Sequence, residues 1–130
     1  MLFRSALAVW VSRPADFLDA RVLPRLAPEE RLLSQGEGLN EIVTVTETPG
    51  RGRMLMTNGH PMSATYRFSQ RYMRAIAHVP LLLSEQPSHV LVIGFGVGNT
   101  TRAATLHPSV TRVDVADLST NVLQIGRAHV

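Results

Sequence analysis

Three glycines at alternate positions, Gly94, Gly96 and Gly98, directly follow the apolar run His89-Val90-Leu91-Val92-Ile93 and lead into a helix-forming segment. An acid, Asp117, stands 19 to 23 residues further on. At the carboxyl end of a parallel strand, glycines let backbone N–H groups approach a ligand and open a helix whose positive end faces it. An acid at the tip of the next strand can accept both hydroxyls of a ribose, and such a pair is separated by about 20 residues. Gly94, Gly96, Gly98 and Asp117 are therefore the candidate cofactor-binding residues. The other reactive side chains offer less. His60, His78 and His107 are single histidines with no paired acid in the sequence, which favours structural or exposed roles. Asp114 is expected on a wet strand edge. No cluster has metal-ligand spacing, no Ser-His-Asp arrangement can be argued, and no residue can be assigned as catalytic. The absence of cysteine excludes a thiolate nucleophile, a disulfide framework and a thiolate zinc site.

The elements that must position these residues fall in two groups. Ile42-Val43-Thr44-Val45-Thr46 is a β-branched run typical of a strand. Pro49-Gly50-Arg51-Gly52 signals a turn, Arg53–Thr57 a second strand, and Asn58-Gly59 a tight hairpin into a third strand over His60–Thr65. The period then changes. Phe68, Tyr72, Ile76 and Val79 fall on one helical face, which predicts a helix from Tyr66 to near Pro80, with Tyr72 read first as a core residue and alternatively as the wall of a pocket. The run His89–Ile93 reads as a buried parallel strand, followed by a helix through Thr101 to His107. A second strand over Thr111–Val115 ends at Ala116-Asp117, and Ser119 or Thr120 is placed to cap a further helix. The order is an antiparallel β unit, then strand, glycine turn, helix, strand, acid, helix: an α/β protein.

The expected division is an irregular or helical leader over 1–35, with a short amphipathic helix over Asp16–Leu26, then a β-hairpin domain over 36–66. The first β-α-β part of a Rossmann-like domain follows over 67–124, and a non-native tail over 125–130. That tail, Ile125-Gly126-Arg127-Ala128-His129-Val130, is expected to break the helix begun at Ser119. It also matches the translation of a common sequencing-library adapter, so genuine protein is expected to end near Leu123 and to be the front part of something longer. Resequencing the locus checks this. The chain has 130 residues, 13 of them basic against 10 acidic, and every basic one is arginine. These arginines are dispersed along the chain, whereas nucleic-acid binding concentrates them in a patch, so no nucleic-acid partner is expected. The apolar stretch Ala6–Val11 is far too short to span a bilayer.

Glycine spacing discriminates among ligands. A dinucleotide turn would want glycine or alanine where Asn99 stands, whereas Gly-x-Gly-x-Gly resembles the first motif of S-adenosylmethionine-dependent enzymes. The resemblance then narrows. The β unit with its Asn58-Gly59 turn, then Tyr72…Ala77-His78-Val79-Pro80-Leu81-Leu82, then Val90-Leu91-Val92-Ile93-Gly94 and the glycine turn, resembles the spermidine synthase (polyamine aminopropyltransferase) family from about Gly36 to Leu123. It is more similar still to divergent bacterial spermidine-synthase-like proteins, some of which carry a membrane region before the enzyme-like part. The resemblance implies an N-terminal β domain and the start of an incomplete methyltransferase-type Rossmann-like fold. It also implies decarboxylated S-adenosylmethionine, or S-adenosylmethionine itself, as co-substrate without a metal, and a small-molecule amine acceptor. Asp117 matches the family's ribose-holding acid, and Asn40 matches a glutamine that touches the donor. The implied location is cytoplasmic, with copies associating through the β domain. Phe95, Val97 and Asn99 replace the family's glycine, aspartate and glycine. Tyr72-Met73-Arg74 stands where the family has Tyr-His-Glu, and an arginine repels a diamine, which argues against putrescine as acceptor. The family's proton-accepting aspartate falls beyond this sequence. Methyl transfer, or a non-catalytic adenosyl-binding scaffold, remain alternatives.

Overall fold

The computed structural model describes residue 23, residues 25–39 and residues 41–129, with side chains described through residue 125. The helix expected over Asp16–Leu26 and the candidate Asn40 fall wholly or largely outside the described residues.

The first layer is a four-stranded antiparallel meander, β1 (Arg31–Glu37), β2 (Ile42–Thr48), β3 (Gly52–Thr57) and β4 (His60–Ala64), paired in chain order. The β-branched run forms β2, which carries the buried positions Val43, Thr44, Val45 and Thr46. The β3–β4 turn is built as Asn-Gly chemistry dictates: Asn58 and Gly59 have φ of 51° and 76°. Asn58 also ties itself to the sheet, its side-chain oxygen accepting from the Ile42 N–H at 2.8 Å.

Strand β1 departs from the sequence expectation, in which Arg31–Gln35 belongs to an irregular or helical leader. Its residues do not alternate in polarity. What makes it a strand is its partner, since β2 offers a free edge along which Glu37 pairs with Ile42 and Arg31 with Glu47. Gly36 supplies clearance. A Cβ there would lie 3.2 Å from the Ile125 side chain and 3.3 Å from Asn121. At the far end of the meander Glu47 takes hydrogen bonds from Arg31 and Arg53, which hold its carboxyl below the usual carboxylate range.

The second layer is helix α1 (Arg67–Leu83), then a two-stranded parallel sheet of β5 (His89–Ile93) and β6 (Arg112–Ala116) joined through the short helix α2 (Asn99–Thr105), then helix α3 (Thr120–His129). Helix α1 does not stop near Pro80 as expected. Proline removes one N–H bond, yet the helix continues to Leu83, because Leu81 is buried in the core and the Pro80 carbonyl is taken by the Ser84 N–H and hydroxyl.

The period predicted for α1 is right and its buried face is not. Met73, Ala77 and Leu81 are the buried residues, while Phe68, Tyr72, Ile76 and Val79 are all more than half exposed, so Tyr72 is not a core residue. The reason is packing. Ala77 and Leu81 meet Ala103 and Ala104 of α2, and small side chains let the two helices close over Val90, Val110 and Val113. Phe68→Gln is therefore expected to change stability by no more than about 0.5 kcal/mol, while Met73→Ala costs about 2–4 kcal/mol in thermal denaturation. The reverse order would restore the predicted stripe.

The larger buried cluster crosses the expected boundary at residue 66. Val43, Val45 and Leu55 of the meander pack with Met73, Val97, Val122 and Ile125, flanked by Leu33 and Phe95. Helix α3 does not break at Ile125; it runs through His129, and Ile125 is buried in this cluster. The parallel pair is covered on one face only. Val92 is buried, whereas Leu91 and Ile93 are 63% and 83% exposed.

Candidate functional site

The carboxyl ends of β5 and β6 are closed by one bond, from the Gly94 N–H to the Ala116 carbonyl at 2.7 Å. From there the chain makes a turn in which Gly94, Gly96 and Gly98 have φ of 86°, 55° and 75°, conformations that favour glycine. The Gly98 N–H donates to Phe95 O at 2.9 Å, and the Gly98 carbonyl receives Arg102 N–H at 2.9 Å to begin α2.

Asp117 stands at the centre of this end of the sheet. Its Oδ2 accepts from the Phe95 N–H at 2.6 Å and its Oδ1 from the Ser119 N–H at 2.9 Å. The carboxylate thus joins the glycine turn to the start of α3. Ser119 caps that helix, its hydroxyl oxygen accepting from the Val122 N–H at 3.1 Å, as expected for a residue at that position.

The residues that depart from a glycine-rich turn face inward. Val97 is 5% exposed in the larger cluster, and the Phe95 ring lies across Gly98, where a Cβ would come within 3.1 Å of it. Asn99 is buried, and its amide donates to Ala64 O at 3.2 Å. These three side chains fasten the turn to the meander.

The other candidates are scattered. Asp114 is exposed and bound to Arg112, as expected for a wet strand residue. Arg74 is exposed and donates to Gln70 on its own helix at 2.9 Å. His60 is exposed on β4. His78 and His107, treated as single residues, in fact touch, with His78 Nδ1 2.8 Å from His107 Nε2, tying α1 to the end of α2. No group of three or more His, Asp or Glu residues among the described residues could hold a metal, and no described helix is long and apolar enough to cross a membrane.

Two site residues were missed. Ser63 of β4 accepts the Val97 N–H on its hydroxyl at 3.1 Å, and Glu41 accepts the Ser119 hydroxyl at 2.5 Å. Neither has a signal in sequence spacing, because each meets a partner 34 or 78 residues away.

An antiparallel sheet packed on a strand–glycine turn–helix–strand unit with an acid at the second strand tip defines an α/β protein with a methyltransferase-like fold. A sequence model described as the spermine/spermidine synthase domain matches residues 69–129. Polyamine aminopropyltransferase 1 of Aquifex aeolicus is 31% identical over 99 residues, which are 76% of this chain and 35% of that protein. Spermidine synthase 2 of Hyoscyamus niger is 31% identical over 98 residues, 75% of this chain and 32% of the relative. Among solved structures, a spermidine synthase in complex with the transition state analogue AdoDATO superimposes with a TM-score of 0.70 at 27% identity. That match covers 76% of this chain and 33% of that one. The spermidine synthase of Thermotoga maritima gives the same TM-score and identity, over 76% of this chain and 35% of its own. The chain belongs to the spermidine synthase family, and it spans about a third of the length of the relatives it matches.

Proposed function

We propose that this chain carries the donor-binding part of a cytoplasmic aminopropyltransferase, with Gly94, Gly96, Gly98 and Asp117 holding decarboxylated S-adenosylmethionine. The single observation that carries this reading is the placement of Asp117. Its two oxygens each accept one backbone N–H and each keep a lone pair, so the carboxylate can also receive the two hydroxyls of a ribose. Phe95 and Val97 turn inward, and the open backbone of the glycine turn is left beside it.

In the reaction a neutral amine attacks the carbon next to the donor's sulfonium. An N–C bond forms, the C–S bond breaks with its electron pair going to sulfur, and the leaving group is the thioether 5′-methylthioadenosine. The amine then gives its proton to a base. The described residues supply orientation of the donor, not that base: Asp117 is bonded to the turn through the Phe95 N–H, and Glu41 is engaged by Ser119. The acceptor is proposed to be a small amine other than putrescine, because Arg74 of α1 stands where the family carries a glutamate. Asn40, next to Glu41 in sequence, is proposed as a further donor contact. Copies are proposed to associate through the open edges of the meander.

Calorimetric titration with three probes tests this. The expected result is binding of 5′-methylthioadenosine and of decarboxylated S-adenosylmethionine, the latter at least about tenfold tighter than S-adenosylmethionine, a difference of about 1.4 kcal/mol. Preference for S-adenosylmethionine assigns methyl transfer instead. Binding without turnover of any amine, in a chain joined to a downstream catalytic half, assigns a scaffold.

A further inference from the structure

The loop between β1 and β2 reaches across to the start of α3. Glu41 Oε1 accepts the Ser119 hydroxyl at 2.5 Å, across 78 residues of sequence, in a half-buried position. Ser119 is thereby fixed three ways. Its hydroxyl donates to Glu41, its hydroxyl oxygen accepts from Val122, and its backbone N–H donates to Asp117 Oδ1. Asp117 in turn holds the Phe95 N–H of the glycine turn at 2.6 Å. A continuous chain of hydrogen bonds therefore runs from the β1–β2 loop, through the helix cap and the acid, to the glycine turn.

The loop is shaped for this contact. The Gly38 N–H donates to the Glu41 carbonyl at 2.8 Å, and Gly38 itself has no side chain where Glu41 and Asn121 approach. A Cβ on Gly38 would lie 2.8 Å from Glu41 Oε1 and 3.1 Å from the Asn121 amide nitrogen. Without Glu41 the Ser119 hydroxyl is free to rotate, and the segment Asp117–Ser119 keeps its helix cap while losing its anchor to the meander.

We propose that Glu41 is a positioning residue for the adenosyl site, acting through Ser119 to hold the Asp117 carboxylate in its ligand-accepting orientation. The inference rests on the reading of Asp117 as the ribose-holding acid. A carboxylate acceptor suits the task, because a charge-assisted bond from a hydroxyl is short and directional. Supporting contacts of this kind fix the rotamer of a binding residue in advance, so ordering it is not charged against the affinity of the ligand.

The test is 5′-methylthioadenosine binding by the full chain, measured by calorimetry with circular dichroism and melting on the same samples. Glu41→Ala is expected to weaken binding about tenfold, with the secondary structure unchanged. Glu41→Gln, whose amide oxygen still accepts the Ser119 hydroxyl, is expected to recover most of that loss. Ser119→Ala is expected to weaken binding to a similar degree, and the double variant no further than the weaker single one, because both break the same chain. Should Glu41→Ala not fold, Glu41→Asp carries the same comparison, since it keeps the charge and falls one methylene short of Ser119. Wild-type affinity in Glu41→Ala, alongside lost binding in Asp117→Asn, would overturn the role of Glu41 while leaving the adenosyl reading intact. Independent, multiplying losses from Glu41→Ala and Ser119→Ala would also overturn it. No binding by the unaltered chain would overturn the adenosyl reading, and this inference with it.

Discussion

Asp117→Ala is expected to weaken 5′-methylthioadenosine binding by at least about 100-fold and to destabilise the fold as well. The first effect follows from what the carboxylate still has to offer. Two ribose hydroxyls donating to a charged acceptor contribute about 1.5–3 kcal/mol each, and their joint loss exceeds the roughly 2.7 kcal/mol that a hundredfold change represents. The second follows from what the carboxylate already does. The Phe95 and Ser119 N–H groups both donate to it, and alanine leaves both without that acceptor. Asp117→Asn separates the two effects. It keeps the shape, but one oxygen becomes an NH2 group that faces either the Phe95 or the Ser119 N–H, donor against donor, so one of the two anchors is lost and about 1–3 kcal/mol of stability with it. Titration and thermal denaturation on both variants read these quantities. Retained affinity in a folded Asp117→Ala would remove the acid from the site and, with it, the donor-binding proposal.

The parts of this site that were legible in sequence are those whose chemistry is local. Gly94, Gly96 and Gly98 announce a turn because left-handed backbone favours glycine, and all three adopt it. The spacing to Asp117 is set by one helix and one strand, so counting along the chain is enough to place the acid at the neighbouring strand tip. Asn58-Gly59 and the Ser119 cap are legible for the same reason. What was not legible depends on partners that are distant in sequence. Strand β1 lacks alternation and exists because β2 has an edge to pair. The buried face of α1 is decided by its partners: the alanines of α2 take Ala77 and Leu81, and the meander's core takes Met73, which leaves Phe68, Tyr72 and Ile76 outside. His78 and His107 could not be joined from spacing, nor Glu41 and Ser119, because only the packed layers bring them together. Phe95 and Val97 were departures from a ligand turn when read along the chain; in the fold they are the side chains by which the turn is held to the core.

The same attachment predicts the second large effect, at Gly96. A Cβ on Gly96 would lie 2.8 Å from the Ser63 hydroxyl oxygen and 3.1 Å from Ser63 Cβ, and the residue has φ of 55°. Ser63 cannot simply swing away. Its hydroxyl oxygen is the acceptor for the Val97 N–H, and Val97 is 5% exposed, so displacing Ser63 strands a backbone donor in the core. Gly96→Ala therefore combines left-handed strain of about 1–2 kcal/mol with an unsatisfied buried N–H at about 1–3 kcal/mol, and is expected to cost about 2–5 kcal/mol in thermal denaturation. Gly94→Ala is the control. It also has positive φ, 86°, but a Cβ there meets nothing within 4 Å, so strain alone applies. In a Ser63→Gly background the clash and the acceptor are both already gone, and Gly96→Ala should then cost no more than Gly94→Ala does in the unaltered chain. Equal losses for Gly94→Ala and Gly96→Ala in that unaltered chain would mean that β4 does not brace the turn. A penalty at Gly96 that persists undiminished in Ser63→Gly would place its cause elsewhere in the turn than at Ser63.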